Sequence, residues 1–195
     1  MAKTRQKGCI KVPALHEAPS AEVFDELVRA SAILSRETTA SDLISVLVDQ
    51  ALDISRSDLA CLYLFDDDTP TILKLLYRRG RYEVPKQIRQ KGELVDFLQD
   101  SRETLVVLRR KEPFFPEIFL HDSMNSAIAL PLQTPSADIG VLILNAREES
   151  FFGRERFYFL DAFTKLASGM LHNTELFDEL GEQRVALLLA GAQDR

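Results

Sequence analysis

Asn125–Arg147 reads NSAIALPLQTPSADIGVLILNAR, and this stretch decides the fold. It contains two apolar runs, Ser126–Leu130 and Ile139–Leu144, separated by a short polar segment. Because neither run alternates between apolar and polar residues, neither can leave one face in water. We therefore predict two strands in the middle of a sheet with both faces covered. What covers the second face decides between a plain core and a ligand pocket.

Two helices are predicted before this pair of strands. Ser20 is a suitable N-cap for a helix over Ala21–Arg36, whose apolar residues recur at three- and four-residue spacings. Thr39 with Asp42 resembles a capping box that opens a second helix over Ser41–Ile54. The broad apolar face of the second helix is typical of a helix that packs on a sheet.

A long helix is predicted after the strands, beginning near Arg154 and interrupted at Gly181. Its heptad-like seam has one polar break and consists of Leu160, Phe163, Ala167, Met170, Thr174 and Phe177. Beyond the seam, Val185–Ala190 is an apolar patch that a monomer would leave exposed.

The middle of the chain supplies further strands and the cover of the second face. The predicted elements are, in order, a hairpin of strands Ser57–Phe65 and Thr71–Tyr77, a long basic connection Arg78–Lys91, a short helix Gly92–Ser101, a strand Thr104–Leu108 and an irregular helix Pro113–Leu120. No internal repeat or linker interrupts this series, so we expect one domain over residues 20–181. Residues 1–19 are predicted to be a disordered basic tail, and residues 182–195 a helical extension.

Composition and charge exclude several classes of protein. The net charge is −6, and the first 12 residues carry +4 from four basic side chains, so the remainder carries −10. A domain that acidic is not expected to bind nucleic acid. The sequence contains no apolar run of about 20 residues and no secretory signal, so no membrane span or export is expected. With two cysteines in 195 residues, we predict a cytoplasmic protein.

The order of the elements, together with residues 126–170, SAIALPLQTPSADIGVLILNAREESFFGRERFYFLDAFTKLASGM, resembles a GAF domain. The family pattern has a strand ending in Pro-Leu, then a turn, then Gly-Val-Leu, then Phe and an acidic residue at the start of the final helix. The resemblance covers about residues 22–178. It implies an α+β fold: a central antiparallel sheet with the first and last helices on one face. The short helix and the loop 109–123 would cover the other face, which commonly encloses a small-molecule pocket in this family.

Three branches of the family fit the sequence poorly. Cyclic-nucleotide-binding members carry Asn-Lys, whereas Asn145 is followed by Ala146, so the lysine–acid bridge of that pattern cannot form. Bilin-binding members have a Cys beside a His, and neither cysteine here adjoins a histidine. The free methionine sulfoxide reductase branch depends on several pocket cysteines, whereas this domain has only Cys61.

The sequence contains no pattern that calls for catalysis. Cys61 lies within an apolar strand, where a free cysteine is usually a small buried hydrophobe. There is no Ser-His-Asp order, no glycine-rich phosphate loop and no metal-spaced cluster. We therefore expect neither an enzyme nor a metal or other cofactor.

Aromatic and basic residues beside the second face carry a ligand hypothesis. Phe114, Phe115, Ile118 and Phe119 follow Arg109, Arg110 and Lys111. One interpretation is an aromatic plug that fills the sheet face, with solvated basic residues beside it. The other is an apolar pocket with cations at its mouth, suited to a small anionic ligand. The candidate ligand-binding residues are Tyr63, Val107, Arg109, Phe115, Ile118, Phe119, His121 and Ser126.

The terminal helices carry a second hypothesis, a homodimer formed by helix bundling. Its candidate interface residues are Leu27, Leu34, Leu160, Phe163, Ala167, Met170 and Phe177; alternatively, these residues pack only on their own sheet.

Together, these features predict a cytoplasmic sensory or regulatory domain that binds a small ligand and signals through dimerising helices to a partner protein. The alternatives are a pocketless dimerisation or protein-interaction module, and a small redox enzyme similar to the sulfoxide reductase branch.

Overall fold

The computed structural model describes residues 9–10, 20–36, 39–65, 72–89, 94–109, 115–134, 138–149 and 151–193, with side chains for residues 20–173 of these ranges except Ala40. The described residues form four helices: α1 (Ala21–Leu34), α2 (Ala40–Ser55), α3 (Leu94–Ser101) and α4 (Arg154–Gln193). The strands are β1 (Cys9–Ile10), β2 (Leu59–Phe65), β3 (Ile72–Gly80), β4 (Gln87–Arg89), β5 (Leu105–Leu108), β6 (Ser126–Gln133) and β7 (Asp138–Ala146). A 3-10 helix, Pro116–Ile118, lies between β5 and β6.

Both predicted N-caps are confirmed. The Val23 N–H donates to Ser20 Oγ at 3.4 Å, and the Asp42 N–H donates to Thr39 Oγ1 at 3.1 Å. The second cap differs from a reciprocal capping box, because the Thr39 hydroxyl itself donates to the Asp42 carboxylate at 2.6 Å. The two side chains therefore fix each other at the start of α2.

The strands form one antiparallel sheet in the order β1-β5-β6-β7-β2-β3-β4. The two strands of Asn125–Arg147 lie mid-sheet as predicted, with β6 between β5 and β7, and β7 between β6 and β2. Gly140 of β7 is required there, because a Cβ at this position would overlap the backbone carbonyl of Tyr63. The Gly-Val-Leu pattern thus marks a close approach of two central strands.

Each face of the sheet has its own hydrophobic core. Helices α1, α2 and α4 cover one face, called the helix face here, and contact inward residues such as Leu62, Ile128 and Leu144. Helix α3 and the segment Phe115–Asn125, called the cover loop, lie over the opposite, second face. Because side chains alternate along a strand, each central strand contributes to both cores.

Several predicted boundaries were wrong. Strand β3 continues to Gly80, and β4 lies inside the segment predicted to be a basic connection. The apolar pattern fades there because β4 is an edge strand and the end of β3 extends beyond it, and exposed charged residues are normal at a sheet edge. Cys9–Ile10, placed in the tail by the sequence, pairs with β5; the rest of residues 1–19 lies outside the described residues. The backbone of α4 is helical through Gly181.

Candidate functional site

The second face brings most of the predicted ligand-binding residues together. Tyr63 and Val107 project from β2 and β5 into the same apolar core as Phe115, Ile118 and Phe119 of the cover loop. All five side chains are buried. The arrangement matches the interpretation as an aromatic plug more closely than an open pocket, since the cover-loop residues occupy the sheet face themselves. Phe114, Arg110 and Lys111 lie outside the described residues.

The cover loop is attached to the sheet by Asn145, a residue that sequence reasoning considered only as part of a nucleotide-binding pattern. Asn145 is fully buried on β7, on the same face as Val141 and Ile143. Its Oδ1 accepts a hydrogen bond from the Leu120 N–H at 2.8 Å, and its Nδ2 donates to the Ile118 carbonyl at 2.9 Å. One amide side chain thus satisfies a donor and an acceptor of the loop backbone, as buried polar groups require.

Arg109 makes a second attachment of the cover loop. Its Nε donates to the Met124 carbonyl at 2.5 Å and its Nη2 to the His121 carbonyl at 3.2 Å. Its guanidinium carbon lies 4.6 Å from the centre of the Phe119 ring, in cation–π range. The predicted ligand-binding cation is therefore engaged with the loop in this arrangement.

The loop begins with a strained residue. Phe115 has φ 52° and ψ 64°, a left-handed backbone conformation that bulky residues rarely adopt. Its ring lies 5.2 Å from that of Phe97 on α3. Strain of this kind costs on the order of 1–3 kcal/mol and tends to occur at functional segments. Phe115, the strained residue, therefore connects the cover loop to α3 through its contact with Phe97.

His121, a candidate ligand-binding residue, lies at the edge of the second face. Its ring is 4.9 Å from that of Tyr82, and its Nδ1 is 2.8 Å from the Ser123 hydroxyl. The Arg78 guanidinium donates to the Tyr82 carbonyl at 2.6 Å. One cation, Arg78, and the polar side chains of His121 and Ser123 therefore lie at this end of the second face.

The prediction that Ser126 faces the pocket was wrong. Ser126 pairs with Leu108 and Ala146, and it shares strand parity with Ile128 and Leu130, which belong to the helix-face core. Its buried hydroxyl has no hydrogen-bond partner in the described part of the chain. Strand alternation groups Ser126 with Ile128 and Leu130, but only the packing of the helices and the cover loop shows which face this set meets.

Two titratable side chains in the core of the second face, Cys61 and Tyr63, are held in their neutral forms. Burial raises the pKa of the Cys61 thiol to about 12, although the Arg78 cation opposes this rise. Burial also raises the pKa of Tyr63, whose hydroxyl donates to the Pro85 carbonyl at 2.8 Å. A buried thiol with a raised pKa is a poor nucleophile, because the thiolate is the reactive form.

Most of the predicted dimer residues are buried within the protomer. Leu34, Leu160, Phe163 and Ala167 have at most 1% of their surface exposed, in the core that α1 and α4 form on the helix face. They have no surface left for a second chain in this arrangement. The seam spacing arises because α4 packs on its own sheet and on α1. Leu27 and Met170 are half-buried at the border of that core, and the side chain of Phe177 is outside the described set.

A cavity of about 140 Å³ lies on the helix side, between the starts of α1 and α4 and the end of α2. Val23 and Phe159 give it an apolar wall, whereas Glu22, Glu26 and Glu155 stand around it. Its volume is below the roughly 300 Å³ at which ligand pockets usually begin. With Arg156 as the one cation against three glutamates in its lining, the cavity is net acidic and does not suit the anionic ligand predicted for the second face.

Solved structures with this arrangement are GAF domains. The GAF domain of a phosphoenolpyruvate-protein phosphotransferase from Acinetobacter superposes with a TM-score of 0.63 at 18% identity, covering 80% of this chain and 96% of that one. The chain has the GAF fold. No protein-family model and no curated protein matches the sequence, so the likeness is one of structure.

Other chains with the GAF fold differ in what they do. The GAF domain of a two-component sensor histidine kinase from Bacillus halodurans has a TM-score of 0.60 at 18% identity, covering 73% of this chain and 99% of that one. Free methionine-R-sulfoxide reductase from Neisseria meningitidis, solved with its substrate, has a TM-score of 0.65 at 19% identity, covering 84% and 98%. Identities this low establish the GAF fold and not the function. No helix in the described part of the chain is long and apolar enough to cross a membrane.

Proposed function

We propose that this GAF-fold chain is a cytoplasmic, non-catalytic sensory or regulatory domain that binds a small anionic ligand on its second face. The observation that supports this most directly is the polar attachment of the cover loop. Asn145 and Arg109 fix the loop through four hydrogen bonds to its backbone, so it is bound as a unit and can be repositioned as a unit. The strained backbone of Phe115 lowers the cost of such a movement.

Arg109 supports the choice of an anionic ligand. It contributes a permanent positive charge at the border of an apolar face, and its present partners are neutral carbonyls and a phenyl ring. A carboxylate or phosphate would make stronger, charge-assisted hydrogen bonds with the same guanidinium. A ligand with an anionic head would give Arg109 stronger hydrogen bonds than its present ones. The flat apolar body of the ligand would occupy the space that the Phe115 ring now fills.

A connection from the second face to the terminal helices supports a regulatory role. The Gln133 side chain donates to the Leu98 carbonyl of α3 at 3.3 Å, and the Gln133 N–H donates to Ser168 Oγ of α4 at 3.2 Å. A shift of α3 would therefore reach α4 through one residue. In this proposal the shift alters a helix-mediated homodimer and is transmitted to a partner signalling protein. A ligand can bias it only if the ligand binds the two arrangements with different affinity.

Isothermal titration against a panel of nucleotides and anionic metabolites tests the ligand proposal. We expect binding to at least one anion, and a loss of about tenfold in affinity for Arg109→Ala from removal of one charge-assisted contact. Arg29→Ala, an exposed substitution on α1, is the matched control and should bind as the wild type does. Absence of binding at millimolar ligand across the panel would contradict the proposal.

A second candidate is a pocketless interaction module. It is favoured by the filling of the second face with buried apolar side chains from the cover loop and α3. In that case the titrations show no heat, and Phe115→Ala only destabilises the fold.

A redox enzyme has weaker support, because the raised pKa of Cys61 disfavours its thiolate. Reduction of free methionine sulfoxide that is lost in Cys61→Ser would establish the enzyme instead.

A further inference from the structure

The outer edge of β3 is an exposed strand edge. Strand β4 pairs only with Ile72–Lys74, and the last backbone hydrogen bond from β3 to the returning chain is the one from the Leu75 N–H to the Lys86 carbonyl. Of the following residues, Leu76–Gly80, the last four pair with β2 on their inner side, and Leu76 bulges out of the register. Within the described ranges, their outer side makes no backbone hydrogen bond. Such an edge can accept another strand.

The side chains along this edge are unusually basic for the chain. Residues 72–89 hold six lysines and arginines and one glutamate, which gives +5 in a protein of net charge −6. Next to the edge, Arg78, Arg79 and Arg81 are all exposed. The ion pair of Arg79 with Asp49 is long at 3.5 Å, and Arg78 donates to a neutral carbonyl, so neither charge is well compensated.

An apolar contact point lies beside these charges. Leu76 is the extra residue of a β-bulge opposite Leu62 and Tyr63, and 48% of its surface is exposed. A bulge at a sheet edge directs a side chain away from the regular ladder. Here the result is an exposed leucine at the start of the edge, followed by arginines along it.

We propose that Leu76–Gly80 is a docking edge for an extended, acidic segment of a partner protein, which adds a strand to the sheet. Main-chain hydrogen bonds to β3 supply affinity, as in other strand-addition complexes. Carboxylates on the added strand meet Arg78, Arg79 and Arg81, and an apolar side chain covers Leu76. Charge complementarity of this kind also speeds the encounter.

A second copy of this chain is a poorer occupant. Pairing of two β3 edges would bring two sets of three arginines together, and like charges on paired strands repel. The arginines therefore act against self-association along the edge while they favour an acidic strand. Arg78 also borders the second face through its contact with Tyr82, but the docking edge is the outer side of β3, and the inference does not depend on ligand binding at the second face.

Fluorescence anisotropy with a short labelled peptide that alternates glutamate and valine tests the proposal. We expect saturable binding that weakens as salt is added, and at least about tenfold weaker binding for Arg78→Glu combined with Arg81→Glu. Arg29→Glu, which reverses one exposed charge on α1, should leave the affinity within about twofold, because an isolated surface charge is largely screened. The lysine–valine version of the peptide should not bind.

Two measurements separate strand addition from simple charge attraction. The same peptide with methyl groups on alternate backbone nitrogens keeps its charge but loses donors, so we expect it to bind much more weakly. Hydrogen exchange should show new protection within Leu76–Gly80 when the unmodified peptide binds. Equal binding of the methylated peptide, unchanged exchange at these residues, or dimerisation of the chain through this edge would overturn the proposal.

Discussion

The side-chain amide of Asn145 donates a hydrogen bond of 2.9 Å to the carbonyl of Ile118, so a central strand directly holds the loop above it. The same amide accepts from the Leu120 N–H, which leaves both polar ends of the side chain satisfied. All three residues are buried. The position of the cover loop therefore depends on one side chain from β7 as well as on apolar packing.

Asn145→Ala is expected to destabilise the protein by about 2–4 kcal/mol, because it leaves a buried N–H and a buried carbonyl without partners. The change in urea midpoint at constant m-value measures this loss. Asn125→Ala is a matched control, since it removes one exposed hydrogen bond, from Asn125 Nδ2 to the Arg147 carbonyl, and should cost about 1 kcal/mol or less. Equal losses in the two variants would contradict the role assigned to Asn145.

The fold was predictable because its apolar pattern is strong where the chain is buried. Ser126–Leu130 and Ile139–Leu144 have no polar alternation, which placed them mid-sheet, and Ser20 and Thr39 marked the starts of two helices. The pattern failed at the edges of the sheet. Strand β4 and the end of β3 are half-exposed and basic, so their composition resembles a loop.

The candidate site was predictable only in part. The composition of Pro113–Leu120 identified Phe115, Ile118 and Phe119 as cover of the second face, because large apolar side chains are usually buried. The partners of Arg109 and Asn145 could not be found, because they are backbone groups, which composition does not reveal. Ser126 was assigned to the wrong face, because strand alternation groups it with Ile128 and Leu130 without showing which face that group meets.

Gly140→Ala is expected to destabilise the protein by about 3 kcal/mol or more, because overpacking against a rigid backbone cannot be relieved by a rotamer change. The added methyl would overlap the Tyr63 carbonyl, between two paired central strands. Gly169→Ala on α4 is the control: nothing lies within 4 Å of the position that its methyl group would take, and replacing a helical glycine should stabilise by about 1 kcal/mol. Thermal and urea unfolding of the two variants measure the opposite changes expected in their free energies of unfolding.

Cys61 should make stability fall at alkaline pH. Its folded pKa is about 12 against a reference of 9.0, so between these values the folded state binds more protons than the unfolded state. The stabilising contribution is complete below pH 9 and is lost as pH rises toward 12, with a slope of at most about 1.4 kcal/mol per pH unit. Urea unfolding from pH 8 to 11 should show a shallower decline for Cys61→Ala than for the wild type. Parallel profiles would mean that the thiol does not titrate in this window.

Phe24→Asp tests the homodimer and its revised interface. Among the described side chains of the terminal helices, the exposed large apolar residues are Phe24, Val28 and Ile33 on α1, 59%, 50% and 37% exposed, and Leu166 on α4, 37% exposed. Phe24 and Val28 lie four residues apart and share one stripe of α1, which suits helix bundling. An aspartate in the first turn of a helix is favourable, so the fold should tolerate Phe24→Asp. Light scattering at tens of micromolar should show a dimer for the wild type and a monomer for this variant.

Leu76→Asp and Phe163→Asp complete that experiment. Leu76 is comparably exposed but lies on β3, so its substitution should leave the dimer intact. Phe163 is fully buried against the ring of Phe159, 5.5 Å away, and a charge there should unfold the protomer rather than release a folded monomer. A folded monomeric Phe163→Asp would restore the heptad-like seam as the interface. A wild-type chain that is monomeric at these concentrations would remove the homodimer, and signalling would then require direct contact between the terminal helices and the partner.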